Sequence, residues 1–355
     1  MVPDSKKFQY LSVAFLVSIP LVYWISTSYN FNRSYPHIYT TCTRTTSELS
    51  TPALANRKKN LYMVFLERFG NVIFEFAAAY SMKLGANCDK LFFQDNGQSN
   101  RLKHVFPKLR SLLNNVPELP PGLTLVLEDA PNRCHNETYE QVLAATKDVR
   151  IQGFFGVPSY WWPHFQKEMN EVLTVSEDFQ NSARNYLFHI ASMKNVSLEV
   201  RKDTLKSGIS PELAEDVPVL VGIHVRRGDK ISTKFKGQGW VTPSKSYFKN
   251  AMNYYRSKFK MVYFIVASQD KVWGKQNIIG KDVIYSTATD DMLEFVLLTL
   301  CDHFIISLGT FGWWAGYLTG GEVVYFPNHV TPNSDADGYF NNYQYFLPSC
   351  KKPLL

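Results

Sequence analysis

The chain has 355 residues, 45% of them apolar and 15% aromatic, with a formal net charge of +7. That is more than one ordinary core holds and enough for about two domains. No low-complexity tract argues for extended disorder. Most of the positive charge is local, since residues 1–59 carry a net +5 and leave only +2 for the rest, which argues against a nucleic-acid partner.

Residues 1–7 form a short basic head, with Lys6 and Lys7 ahead of eighteen uncharged residues from Phe8 to Ile25. At about 1.5 Å rise per residue that run is long enough to cross a bilayer, with Tyr23 and Trp24 suited to its interface. A cleaved signal peptide is the competing reading, but Pro20-Leu-Val-Tyr-Trp-Ile25 is a poor small-residue cleavage site. A retained anchor therefore leaves the N-terminus cytosolic and the rest in a lumen. Residues 26–59, rich in Ser, Thr, Asn and Pro without apolar periodicity, read as a flexible stem. Sequons at Asn32, Asn136 and Asn195 fit lumenal glycosylation. Cys42, Cys88, Cys134, Cys301 and Cys350 lack metal-ligand spacing. An oxidising lumen allows two disulfides among them, in a pairing the sequence does not fix. Cys301, in an apolar context, reads as a buried thiol.

Residues 60–215 begin with a predicted strand, Leu61–Leu66, and a helix, 71–84, that sets Val72, Ile73, Phe76, Ala77 and Tyr80 on one face. A strand at 90–93 follows. Gly70-Asn71 at the helix start is a weak signal for anion binding by backbone N–H groups. Further on, strands at 123–127 and 149–154 alternate with helices, and Tyr160, Trp161 and Trp162 offer either core packing or a surface for stacking a sugar.

From 216 to 355 the pattern is more regular. Val219 to Val225 is an apolar, β-branched run bounded by Pro218 and Gly228, the pattern of a buried strand. It delivers His224, Arg226, Arg227 and Asp229 to its carboxyl end, where open α/β sheets bind ligands. Adjacent residues of an extended segment face opposite ways, so one arginine can reach a pocket while the other ties down a loop. The guanidinium is a planar fork suited to phosphate. Thr242-Pro243 is expected to cap and start a helix running to Phe259. Strands at 261–267 and 283–286, a helix at 290–300, a strand at 303–307, a helix at 311–318 and a strand at 322–326 complete a parallel, Rossmann-like half.

Three stretches in this chain carry a family resemblance. His224-Val-Arg-Arg-Gly-Asp229 resembles the H-x-R-R-x-D signature of the α1,2-, α1,6- and protein-O-fucosyltransferases. Ser307-Leu-Gly-Thr-Phe-Gly-Trp-Trp-Ala-Gly-Tyr-Leu-Thr-Gly-Gly321 is similar to the C-terminal motif of the α1,2-fucosyltransferases in particular. Arg68-Phe-Gly-Asn71 resembles their N-terminal motif, with Val72 where Gln is usual. The resemblance implies an α/β fold of two Rossmann-like domains facing a cleft (GT-B), preceded here by a transmembrane helix and stem. It implies a single-pass type II Golgi membrane protein, and transfer of L-fucose from GDP-β-L-fucose to a glycan hydroxyl with inversion, forming an α1,2-linkage. Acceptor contacts fall to residues 60–215 and the donor to residues 216–355.

By the same resemblance Arg226 holds the β-phosphate of GDP, shared with Thr310 and the backbone at Ser307 and Gly309, and Asn71 lies on the donor site. His224 and an acidic helix residue read ribose and guanine. That acid is usually Asp, and here it falls on Glu294. Asp229 is the nearby candidate for a catalytic carboxylate, but pairing with Arg227 is an equal reading, so no base is assigned. A cationic fork and a helix N-terminus make a diphosphate site that needs no metal and no cofactor. Asp335-Ala-Asp337 has the form of a metal-binding D-x-D, yet lies in a turn-rich loop after the last strand, so no metal ligands are assigned. A membrane-tethered carbohydrate receptor is the rival from another class, and α1,6- or protein-O-fucosyl transfer the rival among enzymes.

Overall fold

The computed structural model describes residues 58–337 apart from 67, 95, 128–135, 157, 159–163, 197 and 199–216. The apolar segment 8–25, residues 26–57 of the stem with Asn32 and Cys42, Cys134, Cys350 and Tyr160–Trp162 lie outside the described residues. No helix among those described is long and apolar enough to cross a membrane.

The first half contains β1 (Leu61–Val64), α1 (Phe69–Gly85), β2 (Leu91–Gln94), α2 (Gln98–Val105), β3 (Asn114–Val116), β4 (Thr124–Leu127), α3 (Asn136–Ala144), β5 (Val149–Gln152), α4 (Gln166–Val172) and α5 (Glu177–Ser192). Its five strands form a parallel sheet in the order β3-β2-β1-β5-β4. The second half contains β6 (Val219–Val225), α6 (Thr233–Gly237), α7 (Lys245–Lys258), β7 (Val262–Ser268), α8 (Lys271–Asn277), β8 (Val283–Tyr285), α9 (Asp291–Thr299), β9 (His303–Ile306), α10 (Thr310–Thr319) and β10 (Val323–Tyr325). These strands are also parallel, in the order β10-β9-β6-β7-β8. That is the doubly wound order, in which the winding reverses between β6 and β9 and opens a crevice at their carboxyl ends. The expected α/β architecture of parallel sheets is present, with all strands of one sheet before residue 216 and all of the other after it.

Three local expectations are corrected. The helix expected from Thr242-Pro243 begins at Lys245, with extended Ser244 as its N-cap residue. Pro243 disfavours helical backbone at Thr242, and Val241 N–H is spent on the His329 carbonyl at 2.9 Å. Strands 7 and 8 are not directly consecutive, because α8 intervenes. It is short and weakly patterned, and its clearest signal is Asp270, which caps it by accepting from Trp273 N at 3.1 Å. Finally, α1 does not bury one face alone: every residue from Phe69 to Met82 except Asn71 is buried. A helix apolar all round belongs inside a core.

That core lies between the sheets. Phe74 of α1 sits 4.8 Å from both Trp313 and Trp314 of α10, so the paired tryptophans of the Ser307–Gly321 motif pack the two halves together. Phe69 and Phe295 of α9 meet edge to face at 5.2 Å. One apolar cluster runs unbroken from Leu61 and Phe93 to Phe304 and Trp314. The opposite face of the second sheet has its own core, built around Phe248, Tyr255 and Phe264. Helix α5 also bridges: Ser176 before it bonds the Val105 carbonyl at 2.8 Å, and Tyr186 accepts from Thr287 N at 2.7 Å.

The tightest contact between the halves is backbone to backbone. A Cβ placed on Gly70 would lie 2.7 Å from the Thr310 carbonyl carbon and 2.8 Å from Phe311 Cα. Gly70→Ala should therefore destabilise the protein by about 1–3 kcal/mol through overpacking. Gly237→Ala, where a Cβ meets nothing within 4 Å, should stay close to neutral. Urea unfolding of the two variants against the parent chain checks this.

Candidate active site

Strand β6 is buried along its whole length. Its alternation sends Val219, Val221, Ile223 and Val225 into one core and Leu220 and His224 toward the other. Where it ends, Arg226 turns along the methylene of Gly309, whose virtual Cβ would lie 3.6 Å from Arg226 Cγ. Gly309 has φ +87° and ψ 154°, a conformation for glycine alone, and serves as the N-cap residue of α10 without offering a side-chain cap. The first N–H groups of α10 thus open beside the guanidinium, and no acidic residue sits in its first turn. Both features favour an anion.

Arg226 is held by its neighbours. Its Nη2 donates to Asp229 Oδ1 at 2.6 Å, its Nη1 donates to Gln269, and its backbone N donates to Ser307 Oγ at 2.8 Å. Arg227 faces elsewhere, donating to Asp270 at 3.2 Å and lying 4.1 Å over the Trp273 ring. Arg227 ties down the start of α8, the role expected of one of the two arginines, but Asp229 pairs with Arg226 and not with Arg227. Asp270 and Trp273, which tie Arg227 to the start of α8, carried no sequence signal connecting them to it.

Thr310 donates to Asn71 Oδ1 at 2.6 Å, so the N-termini of α10 and α1 meet across the two halves. Neither helix has an acidic residue in its first turn, and α1 begins at Arg68 without a side-chain cap. His224 lies under α10, 4.9 Å from the Phe311 ring, and a Cβ on Gly312 would stand 2.7 Å from its Nδ1. That nitrogen is buried and without a hydrogen-bond partner. Burial, reinforced by Arg226, pushes the His224 pKa down to about 3, so the ring is neutral at physiological pH and presents one donor and one acceptor nitrogen. Glu294, in the first turn of α9, accepts from buried Ser286 at 2.9 Å. Burial raises its pKa, opposed by the Ser286 bond and by Lys271. Its carboxylate is thus engaged, not a solvated helix charge. Nearby, Arg101 of α2 makes two bonds of 2.6 and 2.7 Å to Asp291, a further polar tie between the halves that sequence reading missed.

Other expected sites fall away from this cluster. Asp337 accepts from Asn333 N at 2.9 Å within its own loop, and Ala336 N bonds the Gln238 carbonyl at 2.9 Å. Among the described residues no three His, Cys, Asp or Glu side chains group as metal ligands. Asn136 opens α3, while Asn195 is exposed in a left-handed turn after α5. Cys301 is a buried free thiol, as expected, and Cys88 is a second, its pKa raised to about 11 by burial.

The fold is that of an α/β protein of two parallel sheets, and an arginine and an uncapped helix N-terminus lie at the reversal point of the second, an arrangement suited to an anion. The chain belongs to glycosyl transferase family 11, whose model matches residues 146–346. It is 30% identical over 202 residues to galactoside alpha-(1,2)-fucosyltransferase 2 of Gorilla gorilla gorilla, covering 55% of this chain and 53% of that protein. It is 35% identical over 207 residues to the Hylobates lar protein of that name, covering 56% and 54%. The chain spans about half the length of the curated relatives it matches. Among solved structures, NodZ alpha-1,6-fucosyltransferase co-crystallised with GDP gives a TM-score of 0.47 at 12% identity, over 78% of this chain and 98% of that one. That likeness is too loose to place any residue.

The buried histidines have a pH signature. Unfolded, His224 takes up a proton near its ordinary 6.5, whereas folded it refuses one until about pH 3. Its contribution is therefore complete above 6.5 and is lost as pH falls through that window, at about 1.4 kcal/mol per unit. His329, lowered to about 4 by burial, acts in the same direction. The fall in unfolding free energy between pH 6 and 4.5 should become shallower by about one proton in His224→Gln. Denaturant titrations across that range measure the slope.

Proposed function

We propose that this chain is an inverting fucosyltransferase that moves L-fucose from GDP-β-L-fucose to a glycan hydroxyl, forming an α1,2-linkage. The observation carrying this reading is Arg226 beside the uncapped N-terminus of α10 at the strand ends of the second sheet. Two facing Rossmann-like halves of the GT-B kind supply the frame, and the named relatives supply the reaction class. Phosphate oxygens would take the positions on the fork that Asp229 and Gln269 now share. As the bond to fucose breaks, charge grows on the departing diphosphate, where Arg226 and the α10 N–H groups meet it. Asp229, committed to Arg226, is a positioning residue in this scheme, and the base remains unassigned. Ser307 supports the loop, Thr310 and Asn71 close it against the first half, and His224 with Glu294 reads the nucleoside. No metal takes part. Residues 8–25 anchor the protein in the Golgi membrane with the catalytic region lumenal, and Asn32, Asn136 and Asn195 carry glycans. Thr138 of the Asn136 sequon is fully buried, so modification there precedes folding.

Arg226→Lys should be nearly as damaging as Arg226→Ala, since an ammonium keeps the charge and loses the fork. Loss of one such donor costs about 10²- to 10³-fold in turnover. Transfer assays with GDP-fucose and a panel of glycan acceptors test this, and near-normal turnover of Arg226→Lys would remove the central claim. The same assay should be unaffected by EDTA; loss of turnover restored by manganese would overturn the metal-free scheme.

Glu294→Gln should weaken GDP binding by about 10- to 150-fold, because an amide offers one acceptor oxygen where the guanine edge presents two donors. It should also narrow the preference for GDP over UDP. Calorimetric titration with both nucleotides measures this, and unchanged GDP affinity would mean guanine is read elsewhere.

A further inference from the structure

The second half has a surface that the donor site leaves unused. From Lys230 to Lys260 the chain carries eight basic side chains and no Asp or Glu. Within this run α7 buries Phe248, Ala251, Met252 and Tyr255 and turns Lys245, Lys249 and Asn253 outward, one helical turn apart. Two of the basic groups are neutralised, Arg256 by Asp282 through bonds of 2.7 and 2.8 Å and Lys258 by Glu322 at 2.7 Å. Lys245 and Lys249 have no such partner.

For the helix alone this arrangement is unfavourable. Lys245 opens α7 with no acidic residue in the first turn, so a cation faces the positive end of the dipole. Lys249, four residues on, repels it. At the other end of the helix a groove of about 330 Å³ adds the free cations Lys260 and Lys281. The crossover fixes the direction of the stripe. α7 leaves the carboxyl end of β6, where Arg226 sits, and returns to the start of β7, so the cations run for about 20 Å away from the donor site. The exposed residues of α7 are only Lys, Ser and Asn, a hydrogen-bonding surface with none of the apolar side chains that a bilayer would engage.

We propose that this stripe binds a linear polyanionic glycan, sulfated or carboxylated, and leads its end toward the transfer site. Naming the polyanion as a glycan rests on the transferase reading above. The test uses the full chain, immobilised heparin as the sulfated probe, and the double variant Lys245→Gln, Lys249→Gln. The control is Lys108→Gln, Arg110→Gln, two exposed cations of the first half. The stripe variant should elute at lower salt, with the log–log salt slope of binding reduced by about 1.5. The control should elute with the parent chain. GDP affinity should be unchanged and the thermal midpoint equal or higher, because the conflict with the dipole is relieved. KM should rise for a sulfated acceptor and not for a neutral one. Co-elution of the stripe variant with the parent, an equal shift in the control, or binding to phosphatidylserine vesicles without binding to heparin would each overturn the proposal. Loss of heparin retention in the variant, in a protein that transfers nothing from GDP-fucose, would leave the stripe standing and sink the transferase reading alone.

Discussion

Two helix N-termini pressed against each other, with nothing negative between them, set the terms for the rest of this molecule. Gly70 lets the backbone of α1 reach the backbone of α10, and Asn71 Oδ1 accepts a hydrogen bond from the Thr310 hydroxyl. A carboxylate in place of Asn71 would accept the same bond, but it would also cancel the positive potential gathered there. A neutral amide makes the junction without spending that potential. The start of α10 beside Arg226 consequently stays attractive to an anion.

The adjacent arginines show how extended backbone sorts two identical side chains. Arg227 has an aromatic ring below it and a carboxylate beside it, the surroundings of a structural cation. Arg226 has a glycine methylene along its stem and two acceptors at its tip, so it is oriented beside the start of α10. Asp229 and Gln269 keep the fork aimed, which lowers the side-chain ordering that a ligand would otherwise have to impose.

Much of this was legible in the sequence. The apolar run 219–225 has the pattern of a buried strand, and the regular alternation after it indicates a parallel sheet. Strand order could not be read, since periodicity reports burial and not neighbours, so the placement of Arg226 and Gly309 at the reversal point had to come from the structure. The partners of the two arginines were hidden for a related reason: Gln269 and Asp270 sit at the end of the next strand, far along the chain, and only pairing brings them near. α8 escaped because seven residues with a central glycine show no period. In α1 the sequence suggests one buried face because Ser81 and Glu75 look like solvent positions, although both are fully buried and Glu75 accepts from the Leu66 N–H at 2.9 Å.

That buried helix also bears on how such a chain can change over generations. Enzymes whose halves touch only through solvent can exchange one half by recombination and keep both folds. Here α1 is encoded with the first sheet and completes the core of the second, so a crossover between the halves would part Phe74 from the tryptophans that enclose it and Gly70 from the backbone it touches. Novelty in this architecture must therefore arrive by substitution within loops and on outer helix faces, while the segment encoding α1 and the one encoding α10 are inherited as a matched pair.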